Sequence, residues 1–142
     1  MTRPSPRRSE RGSAAIEVAI GAPVMLMLVA LVVFAGRIAV ARQSVTAAAD
    51  SAARAASISR TAAAASSAAE RTARDVLADA GCRRVEVSVD ASAFASPPGT
   101  PGSVHATVTC LVDLAGIPLT APDSLPLTHT GSSPLDTYRG RR

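Results

Sequence analysis

Residues 18–35 read VAIGAPVMLMLVALVVFA, eighteen positions without a charge, flanked by Glu17 and by Gly36-Arg37. A helix of that length spans about 27 Å, close to the hydrocarbon thickness of a bilayer. A soluble fold would have to wrap this helix in its own core. The chain has 142 residues, of which 30 are alanine and only three are aromatic: Phe34, Phe94 and Tyr138. Alanine brings little apolar area and a small domain is already marginal, so the wrapping material is missing. A membrane segment over residues 13–36 is the expectation. Pro23 lies inside it, a kink that membrane helices tolerate when neighbours satisfy the freed carbonyl.

Charge placement gives an orientation. The formal net charge is +4 and all 15 basic residues are arginine. Arg3, Arg7, Arg8 and Arg11 precede the apolar run, whereas Arg37, Arg42 and, at the margin, Arg54 follow it. The bias places the N-terminus in the cytoplasm and residues 37–142 on the far side of the cell membrane, in a single-pass protein. Nucleic-acid modules interleave basic residues with aromatics or a recognition helix, and neither pattern occurs, so no nucleic-acid partner is expected. Two other readings of the leader exist. A secretory signal would end at Ala39-Val40-Ala41, although eighteen apolar residues exceed the usual 7–15 of its core. A twin-arginine signal would use Arg7-Arg8, but Ser9-Glu10-Arg11 is not its usual apolar continuation.

Glu17 heads the apolar run. A carboxylate there is either a functional group in the membrane or an ordinary acid at a helix N-terminus favoured by the dipole. Its surroundings read Arg11-Gly12-Ser13-Ala14-Ala15-Ile16-Glu17. A basic leader ends in glycine, and a glutamate stands fifth after it. This resembles the processing motif of type IV prepilins. The longer stretch through Pro23, Phe34-Ala35-Gly36-Arg37, Arg42-Gln43 and the alanine-rich run to Ala56 resembles the N-terminal signature of the TadE-like family of tight-adherence (Flp-type) pilus assembly proteins. Asp136-Thr137-Tyr138-Arg139 is similar to the ending of many such proteins. The resemblance implies a membrane-anchored minor pilin (pseudopilin) or assembly component of a tight-adherence pilus. Its implied partners are membrane lipid, other pilin-like subunits, the assembly machinery and a prepilin peptidase that cuts after Gly12. Cutting there would leave a cationic amine on Ser13, four residues from Glu17 and on the same helix face. A carboxylate in low dielectric needs a positive partner, and the amine of a neighbouring subunit would supply one. The alternative is a small secreted, disulfide-bonded binding protein released by signal peptidase after Ala41.

Beyond the membrane, Gln43, Thr46, Asp50, Arg54 and Ser57 recur at helical spacing, with Val45, Ala48, Ala49, Ala52, Ala53 and Ala56 on the other side. A helical stem over 37–60 follows. Its alanine face suits either another pilus helix or this protein's own domain. A second helix is expected over 61–80, with Glu70–Arg74 and Arg71–Asp75 as i,i+4 pairs and Gly81 as C-cap.

Two alternating runs then read as strands. Val85, Val87 and Val89 alternate with polar residues in the first, and Val104, Ala106, Val108, Cys110, Val112 and Leu114 alternate with mostly polar ones in the second. ASAFASPPGTPG between them reads as a mobile connection. Antiparallel pairing of Val85 with Val108, Val87 with Ala106 and Val89 with Val104 puts every valine on one side. Leu125, Leu127 and His129 add a short edge strand, limited by Pro122 and Pro126. This register sets Cys82 beside Cys110 in a compartment where disulfides persist. A bridge closing about 29 residues is worth roughly 3–4 kcal/mol in the chain-entropy model, and two buried thiols are the other possibility.

The chemistry is otherwise thin. His105 and His129 have no partner at metal-ligand spacing, and no nucleophile elbow or phosphate-binding glycine loop occurs. No enzyme, cofactor or metal is expected. The fold class is α+β: an N-terminal transmembrane helix running into an alanine-rich helical stem, then a small antiparallel β unit packed on a helix. The corresponding segments are a basic leader (1–12), membrane helix (13–36), stem (37–60), extracytoplasmic domain (61–135) and tail (136–142).

Overall fold

The structure is a computed structural model, and it describes residues 11–97, 99–113 and 124–135. The twin-arginine pair, Leu114, Pro122, the tail and the Asp136–Arg139 ending lie outside the described residues. The elements run in the order α1 (Arg11–Ser57), α2 (Ala62–Val76), β1 (Cys82–Asp90), a 3-10 turn (Ser92–Ala95), β2 (Ser103–Asp113) and β3 (Ser124–Pro134). The architecture is α+β, as expected. The chain forms two compact units, one ending at Ile38 and one beginning at Ala39.

The first unit carries the apolar run as helix. Pro23 sits within α1 without ending it. The large side chains from Ile16 to Val33 are all more than half exposed, with Leu26 at 70% and Met27 at 77%. Nothing in the unit buries them.

The second unit is a three-stranded antiparallel sheet, ordered β1-β2-β3, with helices on one face. Its core contains Ala41, Val45, Ala48, Ala49, Ala52, Ala53 and Ala56 of α1 and Ala65, Ala69 and Ala73 of α2. Those positions recur at three and four, so each helix presents one narrow stripe. The alanine face of the stem is therefore covered by the protein's own domain. From the sheet come Val104, Ala106, Val108, Cys110 and Leu127, all buried. Apart from Val45 the stripes present methyl groups only, which lets helix backbone lie close to strand. The main chain of α1 at Ala49 lies directly against Gly131 of β3. Nearby, the Ser133 hydroxyl donates to the Ser57 hydroxyl over 3.0 Å.

Three expectations need correction. The β1–β2 register is displaced by two residues: Val85 pairs with Cys110, Val87 with Val108 and Val89 with Ala106. A shift of two keeps every side chain on its face, so the valine alternation fits both registers equally. Cys82 pairs with Val112, and an irregularity between Cys82 and Arg84 leaves Arg83 as the extra residue. The edge strand is eleven residues long and runs through Pro126, which pairs with Leu111. A proline is tolerated there because β3 borders the sheet. The connection after β1 is partly ordered: the 3-10 turn packs Ala93 and Phe94 against the core.

The second helix is shorter than its sequence pattern. It stops at Val76 with Leu77 as C-cap, and turns carry the chain to Gly81, whose φ of +71° introduces β1. Glu70 and Arg74 pair at 3.1 Å, while Arg71 and Asp75 form no ion pair. At the other end Thr61 is extended and accepts the Ala64 N–H on its hydroxyl oxygen at 3.2 Å. That bond satisfies one of the orphan donors of the first turn. Thr61→Ala should cost about 1 kcal/mol, a fall of roughly 4–8 °C in the thermal midpoint followed by circular dichroism.

Candidate functional site

Two regions contain the residues singled out by the sequence. The first is the head of α1. Gly12 and Ser13 are in its first turn and Glu17 follows one turn later. The four-residue interval from Ser13 to Glu17 is helical throughout, so both positions share a face. Glu17 is exposed and has no ion-pair partner among the described residues. It stands at the start of a helix whose apolar stretch has a mean hydropathy of 2.7 and no buried residue. Among the described residues this one helix is long and apolar enough to cross a membrane. An exposed apolar surface of this extent marks a contact with lipid or with other protein.

The second region is the disulfide. Cys82 at the start of β1 is bonded to Cys110 in β2, with Cα atoms 5.4 Å apart. Cys110 is fully buried on the helix-facing side of the sheet, and Cys82 is half-buried. The bridge thus ties the α2–β1 junction to the middle strand. The expected pairing is present even though the register that suggested it was two residues off, because the extra residue at Arg83 takes up part of the offset.

The opposite sheet face is polar. Thr107 shares a hydroxyl hydrogen bond with Thr130, and Thr109 with Thr128, each at 2.9 Å. One row on this face was not apparent in the sequence. Asp90 pairs with His105, and His105 with Ser132, so three residue types known from hydrolase triads stand side by side. Their separations along the chain match no familiar motif; only the sheet register brings them together. The geometry does not make a triad. Asp90 accepts the Ser92 backbone N–H at 3.0 Å, and no hydrogen bond joins Asp90, His105 and Ser132. The Ser92 backbone and side-chain bonds, with a smaller contribution from His105, hold the Asp90 carboxyl below the usual carboxylate range. All three side chains are exposed on an open sheet, with no wall to exclude water around a developing charge.

A shallow groove of about 340 Å³ lies on the second unit. Arg42, Val45 and Thr46 of α1 line it together with Pro126, Leu127, Thr128 and His129 of β3. None of these residues is acidic. Among the described residues no group of three or more His, Cys, Asp or Glu is placed to hold a metal ion.

No curated protein and no solved structure matches the chain. A family model does: the stretch holding Gly12, Ser13, Glu17, Pro23 and most of the buried alanine stripe of α1, residues 12–54, matches that of the TadE-like proteins.

Proposed function

We propose that the protein is a membrane-anchored minor pilin or assembly component of a tight-adherence (Flp, type IV-like) pilus. The observation that carries this reading is a coincidence of position. The TadE-like match covers residues 12–54, which are the apolar, unburied run of α1 and its buried outer stripe. The run anchors the chain, with the N-terminus cytoplasmic as the arginine bias favours. The alanine stripe packs the helical stem onto the small disulfide-bonded domain. The role is structural and non-enzymatic, and the partners are pilin-like subunits and the machinery that assembles them.

Glu17 is the assembly residue in this reading. Removal of the leader after Gly12 by a prepilin peptidase leaves an amine on Ser13. In a neighbouring subunit that amine neutralises Glu17 and fixes the stagger between helices. The intact mass of the protein recovered from native membranes tests the processing step: the expected chain begins at Ser13. An uncut membrane-bound chain would instead make it a resident assembly factor. A chain beginning at Arg42 and absent from membranes would replace the proposal with the secreted reading. Glu17→Gln should abolish co-purification with partner pilins while leaving membrane insertion intact. Unchanged co-purification would remove the pairing role.

A further inference from the structure

We infer that the groove between α1 and β3 binds the phosphate of an anionic phospholipid headgroup, held by Arg42 and His129. The inference rests on the membrane-anchor reading above. Three observations carry it. First, Arg42 is exposed on the groove wall and has no ion-pair partner among the described residues. Second, among the lining side chains the donors not already engaged are the Arg42 guanidinium and the His129 ring N–H. The Thr46 hydroxyl already donates to the Arg42 carbonyl at 3.1 Å, and the Thr128 hydroxyl is shared with Thr109. Arg42 offers the planar fork that suits phosphate, and half-buried His129 offers a ring nitrogen from the strand opposite. Val45, Pro126 and Leu127 supply apolar walls, which strengthen a charge pair by lowering the local dielectric.

Third, Arg42 follows closely in sequence on the end of the apolar run. Arg42 stands seven residues after Ala35, the last residue of the apolar run. Seven helical residues rise about 10 Å, a few ångströms past a headgroup layer about 5–7 Å deep, and the long arginine side chain can reach back across that gap. Phosphate esters are the abundant anions at that depth. A basic residue near an anionic surface gains about fivefold in affinity. An ordered groove adds selectivity to that general attraction.

The experiment uses the full chain in nanodiscs, first of phosphatidylcholine and then with phosphatidylglycerol added. The chain has two histidines, so His129 reports on the groove and His105, on the opposite face, is the internal reference. Phosphatidylglycerol should shift the His129 ring resonances and leave those of His105 in place. Arg42→Gln should abolish the shift and lower phosphatidylglycerol retention about fivefold. Arg37→Gln, which removes a neighbouring charge outside the groove, should keep the His129 shift. If the His129 signals do not respond, or respond equally in Arg42→Gln, the site is overturned. An equal response to inorganic phosphate in phosphatidylcholine discs would assign the groove to free phosphate and overturn the lipid. A chain that floats with neither kind of vesicle overturns the anchor and this inference together. One that floats with both but shows no His129 shift overturns this inference alone.

Discussion

Loss of the Cys82–Cys110 bond should lower the thermal midpoint of the outer domain by about 15–25 °C. The bond closes a loop of 28 residues in sequence separation. Chain entropy alone then gives roughly 3–4 kcal/mol. That is large here because of what the core is made of. Among the described residues ten of its seventeen buried members are alanine, and the largest fully buried side chains are Val45, Val104, Val108 and Cys110. An alanine methyl contributes about 0.8 kcal/mol when buried, well below a leucine or phenylalanine. Natural small domains with thin cores compensate with disulfides. Cys110 is fully buried and Cys82 half-buried, so the rate at which reductant cuts the bond in the folded protein depends on access to the Cys82 sulfur. The clean comparison is between oxidised protein and the double variant Cys82→Ala/Cys110→Ala, both as full chains in the same detergent, melted by circular dichroism. Midpoints within about 3 °C of each other would mean that the alanine core and the anchor suffice, against the chain-entropy estimate.

The helical half of this fold was legible because its signals are periodic and local. Eighteen uncharged residues admit few structures, and the stripe from Val45 to Ala56 follows the helix repeat; every member of it is buried. The head of α1 was legible for another reason: Gly12 and Glu17 stand at a fixed spacing ahead of the run, and spacing survives in a bare sequence. The sheet was harder. Val85, Val87 and Val89 face the core in either of two registers, so their alternation does not choose between them. The length of β3 was hidden altogether. Its second half reads Thr128-His129-Thr130-Gly131-Ser132-Ser133-Pro134, which has the composition of a loop. Past His129 the inward positions there are Gly131 and Ser133, and they are small because the helix backbone is so near. Hydrophobic patterning fails where the partner is main chain rather than side chain. The groove was invisible for a related reason, since Arg42 and His129 are 87 positions apart in sequence and meet only through this helix–strand contact.

That contact yields the other large expected effect. A Cβ placed on Gly131 would run into the Ala49 carbonyl, 2.5 Å from its carbon and 2.6 Å from the Asp50 nitrogen. These are helix backbone atoms, so no side-chain rotation makes room. Gly131→Ala must therefore push β3 away from α1, which also strains the Ser133–Ser57 hydroxyl bond. Overpacking of a tight core costs about 1–3 kcal/mol, and a main-chain obstruction puts this site at the upper end, a fall of roughly 12–24 °C in the midpoint. Gly131→Val should leave α2 and the membrane helix but release β3 from the sheet. Hydrogen exchange would then show the amides of residues 124–134 opening ahead of those of β1. Ala49→Gly should not rescue Gly131→Ala, because the methyl of Ala49 is not what blocks it. Ser132→Val, one residue along on the exposed face, should stay within about 0.5 kcal/mol of the parent. If Gly131→Ala melted as the parent does, close approach of α1 to β3 would not be what holds the strand, and the alanine stripe would need another explanation.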